Sequence, residues 1–349
     1  MKKYQQGITR SSHARYTLYV LLAVYIFNYV DRQILSLLME PIKKDLNLSD
    51  TQLGFMSGMA FAIFYTTLGI PLARLADRSH RVNIVAGAIT VWSSMTVLSG
   101  MAQNYWQIVL ARVGVGIGEA GCTPPAHSII SDSFERAERG AAISIYMMGV
   151  PLGILVGFLV GGYLNELYGW RIAFIALGLP GIILGLLVKL TVREPVRGQF
   201  DTGEIVEPQM SLLQSLKYLW SQRVFRRLLI AMALLNFVGG GVGQWIPVFF
   251  IRSHGMATGE LGAWLSVMIG VTGAFAIYFG GYITQRICGD NEAYKMRIIA
   301  AVTLAMIGTG LAWLLIPNKS IALLFMGVGN ALYFFSSGPS FALMLTLVP

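Results

Sequence analysis

Ten runs of apolar residues, each long enough to cross about 30 Å of hydrocarbon as a helix rising 1.5 Å per residue, constrain this chain more than any other feature. They fall near residues 16–39, 52–74, 82–101, 104–130, 139–164, 170–191, 226–251, 260–284, 297–316 and 320–347. A single water-facing core cannot hide ten such runs in 349 residues, so lipid must solvate much of the surface. In lipid every backbone N–H and C=O must be satisfied internally, and segments of this length do that as helices. Composition agrees: 55% of residues are hydrophobic and 12% charged, against about 45–50% and about 25% in soluble domains. The first run is too long for a signal-peptide core and lacks a small-residue cleavage site, so it is expected to stay as a membrane helix.

The net charge of +9 would suit a nucleic-acid binder in a soluble protein, but here its placement decides otherwise. With the N-terminus in the cytoplasm, 19 of the 26 Lys and Arg residues fall on the cytoplasmic side and 5 on the other, while Arg32 and Arg112 lie inside spans. That asymmetry is the positive-inside pattern; it sets the expected orientation and excludes nucleic acid as a partner. Short tails and compact loops point to a bacterial inner membrane. A polar stretch between the sixth and seventh runs, holding Glu194, Pro195, Asp201, Glu204, Glu207 and Pro208, is the one credible boundary. The expected organisation is a six-helix bundle over 1–190, a linker over 191–225 with an interfacial helix at Leu212–Trp220, and a four-helix bundle over 226–349.

Four ionisable groups, Asp31, Arg32, Arg112 and Glu119, sit at membrane depth, where a charge costs at least about 2.5–3.5 kcal/mol and needs a partner or an aqueous cavity. Asp31 and Arg112 lie at similar depths, so an ion pair between them is possible, with Arg32 an alternative or additional partner. Glu119 follows Arg112 by two helical turns on nearly the same face and has no basic neighbour within a turn, so its cation must come from Arg32 or another helix. This pattern makes Glu119 and Asp31 the candidate proton-coupling residues, with Arg32 and Arg112 the candidate substrate-binding residues that couple the proton to substrate binding. A static network that only joins spans one and four is the plainer reading.

Span seven is weakened and polar, with Asn236, three successive glycines, Gln244 and Pro247; span ten carries Tyr333 followed by two phenylalanines and two serines. Interrupted segments of this kind line binding sites or form gating kinks, which makes Asn236, Gln244 and Tyr333 further binding candidates. Asp77, Arg78 and Arg81 form a charge cluster after span two, suited either to anchoring or to capping a neighbouring helix in one conformational state. Gly149, Pro151, Gly153 and Gly157 put small residues on one face of span five for close helix packing.

The Gly-x-Gly-x-x-Gly string at Gly116–Gly121 fits a dinucleotide fingerprint to the letter, yet it lies inside an apolar helix with no preceding strand. No phosphate-loop motif occurs, no nucleophile has an adjacent base, and His13, His80, His127 and His254 fit no metal spacing. The chain is therefore expected to need no cofactor, to be no enzyme, and to draw energy from a gradient.

The loop Ala73-Arg-Leu-Ala-Asp77-Arg78-Ser-His-Arg81 resembles the loop signature of the major facilitator superfamily, with Ala73 and His80 standing in for its glycines. Arg112-x-x-x-Gly116-x-Gly118 and the Gly149–Gly162 string resemble its span-four and span-five motifs. Asn28-Tyr-Val-Asp31-Arg32 together with Gly118-Glu119-Ala-Gly is similar to the Spinster family. The likeness is strong over 16–195 and weaker beyond. It implies a proton-coupled, alternating-access transporter with a cavity lined by spans one, four, seven and ten, and a lysolipid- or sphingoid-type substrate. It also implies a latch role for Asp77, Arg78 and Arg81, a monomer among membrane lipids, and twelve spans, so that a chain ending with the tenth leaves the second bundle two helices short. A hydrophilic organic acid or a drug suits the same charges; a passive channel or a transport-dead sensor or scaffold are the readings from other classes.

Overall fold

A computed structural model describes residues 2–200, 212–289 and 291–346. Asp201, Glu204, Glu207 and Pro208 of the linker lie outside the described residues. Among those described there are helices and no strand. In chain order the helices are α1 (Lys2–Leu46), α2 (Asp50–Gly54), a π-helical turn (Phe55–Met59), α3 (Ala60–Arg78), α4 (Arg81–Gly100), α5 (Tyr105–Ala120), α6 (Thr123–Ser133), α7 (Arg136–Met147) and α8 (Gly149–Thr191). After the linker come α9 (Leu212–Ser221), α10 (Arg223–His254), α11 (Thr258–Leu265), a second π-helical turn (Ser266–Val271), α12 (Thr272–Cys288), α13 (Glu292–Leu315) and α14 (Lys319–Thr346).

Eight helical stretches among the described residues are long and apolar enough to span a bilayer. Two departures from regular helix reconcile them with ten apolar runs. The stretch Arg136–Thr191 contains two spans that meet at Gly169, whose φ of 82° lies in the left-handed region that glycine enters without steric cost. The run over 104–130, expected as one helix, is instead broken after Ala120, one residue past Glu119. The Gly121 and Cys122 amides close a tight turn onto the Gly118 and Glu119 carbonyls, and α6 restarts with prolines in its first turn, where a missing N–H costs nothing. Asn104 starts α5 by accepting from the Gln107 amide, and Ser49 with Gln52 forms a reciprocal capping box ahead of α2.

The chain divides into two compact units, one of residues 1–202 with 256–263, the other of 203–255 with 264–349. In the first, α1 lies along α8, α4 packs on α8 and α5, and α3 lies against α5. Glycine faces set these distances: a Cβ on Gly153 would stand 2.5 Å from the Tyr29 Cβ, so only glycine lets α8 come so close to α1. The core between them is a cluster that includes Leu21, Val24, Ile89, Trp92, Val115 and Tyr146. In the second unit α14 is the central helix, packed on α12, α13 and α10.

Candidate functional site

Asp31 and Arg32 are neighbours on α1, so their side chains leave the helix about 100° apart. Asp31 turns toward α4 and α5, where the Thr96 hydroxyl donates to its Oδ1 at 2.6 Å and Arg112 Nη1 donates to its Oδ2 at 3.4 Å. Arg32 reaches the other way along α5, and its Nε donates to Glu119 Oε2 at 2.6 Å. Three of the four side chains are almost fully buried, at 4% exposure for Asp31, 3% for Arg112 and 0% for Glu119, while Arg32 keeps 24%. Arg32 is thus the one member left partly exposed.

Aromatic rings complete the surroundings of Arg32. Its guanidinium carbon lies 5.3 Å from the centre of the Tyr29 ring, 5.1 Å from Phe61 and 4.9 Å from Tyr65. Each ring face attracts the cation, most strongly where water is excluded. Two ion pairs in a desolvated setting are electrically neutral together, yet hydrogen-bonding capacity is left over. Glu119 Oε1, Arg112 Nε and both amide atoms of Asn28 are buried without a partner. Such atoms call for water, a proton or a ligand group.

The other residues singled out from sequence fall in three places. Asn236 and Tyr333 meet in the second unit, where the Tyr333 hydroxyl donates to Asn236 Oδ1 at 3.3 Å, while Gln244 lies two turns further along α10 with an unpartnered Oε1. Gly149, Gly153 and Gly157 face Tyr25, Tyr29 and Val30 of α1, and Pro151 shares their stretch of α8. Asp77 and Arg78 differ from Arg81 in surroundings. The side chains of Asp77 and Arg78 are exposed, whereas Arg81 is buried and donates to Asp132, to Ser128 and, at 2.6 Å, to Glu194. Residues 191–199 are strapped down there: Glu194 also accepts from the Val82 amide, and Arg197 caps the carbonyls of Ala76, Asp77 and Ser79.

Tyr29, Phe61, Tyr65, Thr96 and Asp132 were not singled out as site residues from sequence. Phe61 and Tyr65 do carry a signal, an aromatic pair one turn apart on a span that also holds Phe55 and Phe64, but it is also the commonest pattern of plain packing.

The sequence pattern of the Major Facilitator Superfamily matches residues 21–349. An MFS-type efflux pump of Mycolicibacterium smegmatis is 32% identical over 329 residues, which are 94% of this chain and 76% of that protein. A sphingosine-1-phosphate transporter of zebrafish, Danio rerio, is 27% identical over 88% of this chain, which spans 64% of that protein's length. Among solved structures, a bacterial homologue of the human lysosomal transporter Spinster, inward-facing and unoccupied, superimposes with a TM-score of 0.83 at 30% identity, covering 95% of this chain and 75% of that one.

Proposed function

The chain belongs to the major facilitator superfamily, in its Spinster-like branch, and on that premise we propose that it is a proton-coupled transporter of an amphipathic anion. It is a multi-pass membrane protein of a transporter family whose members carry small molecules. The observation that carries the finer reading is the 2.6 Å bond between Arg32 and Glu119 beside an unpartnered carboxylate oxygen. Glu119 and a substrate anion compete for one guanidinium: a proton on Glu119 releases Arg32, and the head group takes its place. Proton and anion then enter together with no net charge brought into the lipid, where an uncompensated charge is most costly.

Asp31 stays paired with Arg112 and holds the register of α1 against α5 while Arg32 changes partner. The rings of Tyr29, Phe61 and Tyr65 offer an apolar wall beside the head group, which suits a sphingoid or lysolipid chain. The zebrafish relative is named for such a substrate. Alternation between two access states uses the two compact units as its moving parts, in a bacterial inner membrane with the N-terminus cytoplasmic, the orientation that the Lys and Arg asymmetry favours. A drug or a hydrophilic organic acid is the competing substrate class, favoured by the name of the mycobacterial relative.

The test is uptake of radiolabelled sphingosine-1-phosphate into proteoliposomes under an imposed pH gradient. Saturable, gradient-driven accumulation is expected for the native chain. Glu119→Gln should lose the gradient dependence while still exchanging substrate downhill. Accumulation that follows the gradient equally in Glu119→Gln refutes the coupling role, unsaturable flux indicates a channel, and gradient-driven flux of an organic acid or ethidium instead indicates the competing class.

A further inference from the structure

We propose that Phe61 is a positioning residue for the Arg32 exchange, its ring being the shared floor that keeps Arg32 in place when Glu119 lets go. The inference rests on the reading that Arg32 changes partner. Of the three rings around Arg32, Phe61 alone also lies near the other guanidinium, with the Arg112 carbon 5.8 Å from its centre. A ring touched by both cations links the two ion pairs without a covalent or hydrogen-bonded path.

Backbone geometry places it there. Gly116 lies between Arg112 and Glu119 on α5, and a Cβ at Gly116 would stand 2.7 Å from the Phe61 carbonyl oxygen. Span two is therefore pressed against α5 midway between its two charged residues, at the level where a ring can reach both. The π-helical turn Phe55–Met59 comes just before, with the Ala60 amide bonded back to the Phe55 carbonyl. One residue added to a helical turn rotates everything after it by about 100°, and such insertions recur at functional sites. Here the rotation sets the face on which Phe61 and Tyr65 stack, 5.2 Å apart, beneath Arg32.

Packing alone would ask only for a side chain of suitable volume, which leucine supplies; holding a cation asks for a ring face. The experiment measures modification of Arg32 by butanedione in purified protein, quantified by peptide mass spectrometry, with exposed Arg78 as the internal reference. Losing one ring of the cage should speed Arg32 modification about five-fold to about thirty-fold in Phe61→Leu, and further in Phe61→Leu combined with Glu119→Gln. Phe61→Tyr should keep the native rate. Equal rates in the native, Leu and Tyr proteins, or equal acceleration in Leu and Tyr, overturn the proposal. If Phe61→Leu does not fold, Phe61→Met carries the same expectation. The labelling needs no substrate, so it is independent of whether sphingosine-1-phosphate uptake occurs. Where uptake is seen, Phe61→Leu should raise KM more than it lowers kcat, and Phe61→Tyr should restore KM.

Discussion

Asp31 and Arg112 form a buried pair whose members are not equally replaceable, and that asymmetry predicts an order of stabilities. Asp31→Leu leaves Arg112 with 3% exposure, with an Nε that already lacks a partner and without the carboxylate it pairs with. A guanidinium cannot shed its charge in a protein, so the full cost of a stranded buried cation is incurred, about 3–5 kcal/mol. Arg112→Met leaves Asp31 with the Thr96 hydroxyl at 2.6 Å and with the option of binding a proton, so its cost falls below that range. Replacing both, as Asp31→Leu with Arg112→Met, removes both charges and lets the Thr96 hydroxyl turn its single proton to the Trp92 carbonyl at 2.9 Å. Apolar replacement of a buried pair is often neutral or stabilising, so the double variant should melt near the native protein. At about 2–4 °C per kcal/mol for a unit of roughly 200 residues, Asp31→Leu should melt about 6–20 °C lower, with Arg112→Met between it and the native chain. The assay is the loss of monodisperse protein on heating in detergent, followed by size-exclusion chromatography. A double variant less stable than both single ones, or Arg112→Met melting below Asp31→Leu, refutes the reasoning.

Gly153→Leu should prevent α8 from seating on α1, because even a Cβ there meets Tyr29 at 2.5 Å; we expect no monodisperse peak, whereas Gly140→Leu, which has open space, should elute normally. A normal Gly153→Leu peak would show that the contact is slack. Arg197→Ala should uncap the end of α3, raising hydrogen exchange of amides 74–79 several-fold while shifting the melting temperature little, since Arg197 is exposed. Unchanged exchange would mean that water already serves those carbonyls.

Periodicity and length made the helical membrane fold legible, because lipid leaves a long apolar run few other ways to satisfy its backbone. Depth in the bilayer likewise marked Asp31, Arg32, Arg112 and Glu119, since charges there are too costly to be incidental. Helix breaks were harder to read. Gly121 and the two prolines after it stand in plain view at 121–125, yet apolar residues resume at Ile129 and Ile130, so a reading by span length carries the helix through them. Adjacency groups Arg81 with Asp77 and Arg78, but its partners Asp132 and Glu194 are 51 and 113 residues away.

What the chain determines by itself is therefore local and one-dimensional: where helices must run and which side chains cannot be left unpaired in lipid. Tertiary structure alone decided which acid meets which base, because two adjacent residues on α1 diverge by about 100° and their partners depend on how α5 is rotated and how near it lies. It also decided that Phe61, an ordinary apolar residue in sequence, stands under two cations. That outcome depends on a π-helical turn and on a glycine of another helix, neither of which announces its neighbour along the chain.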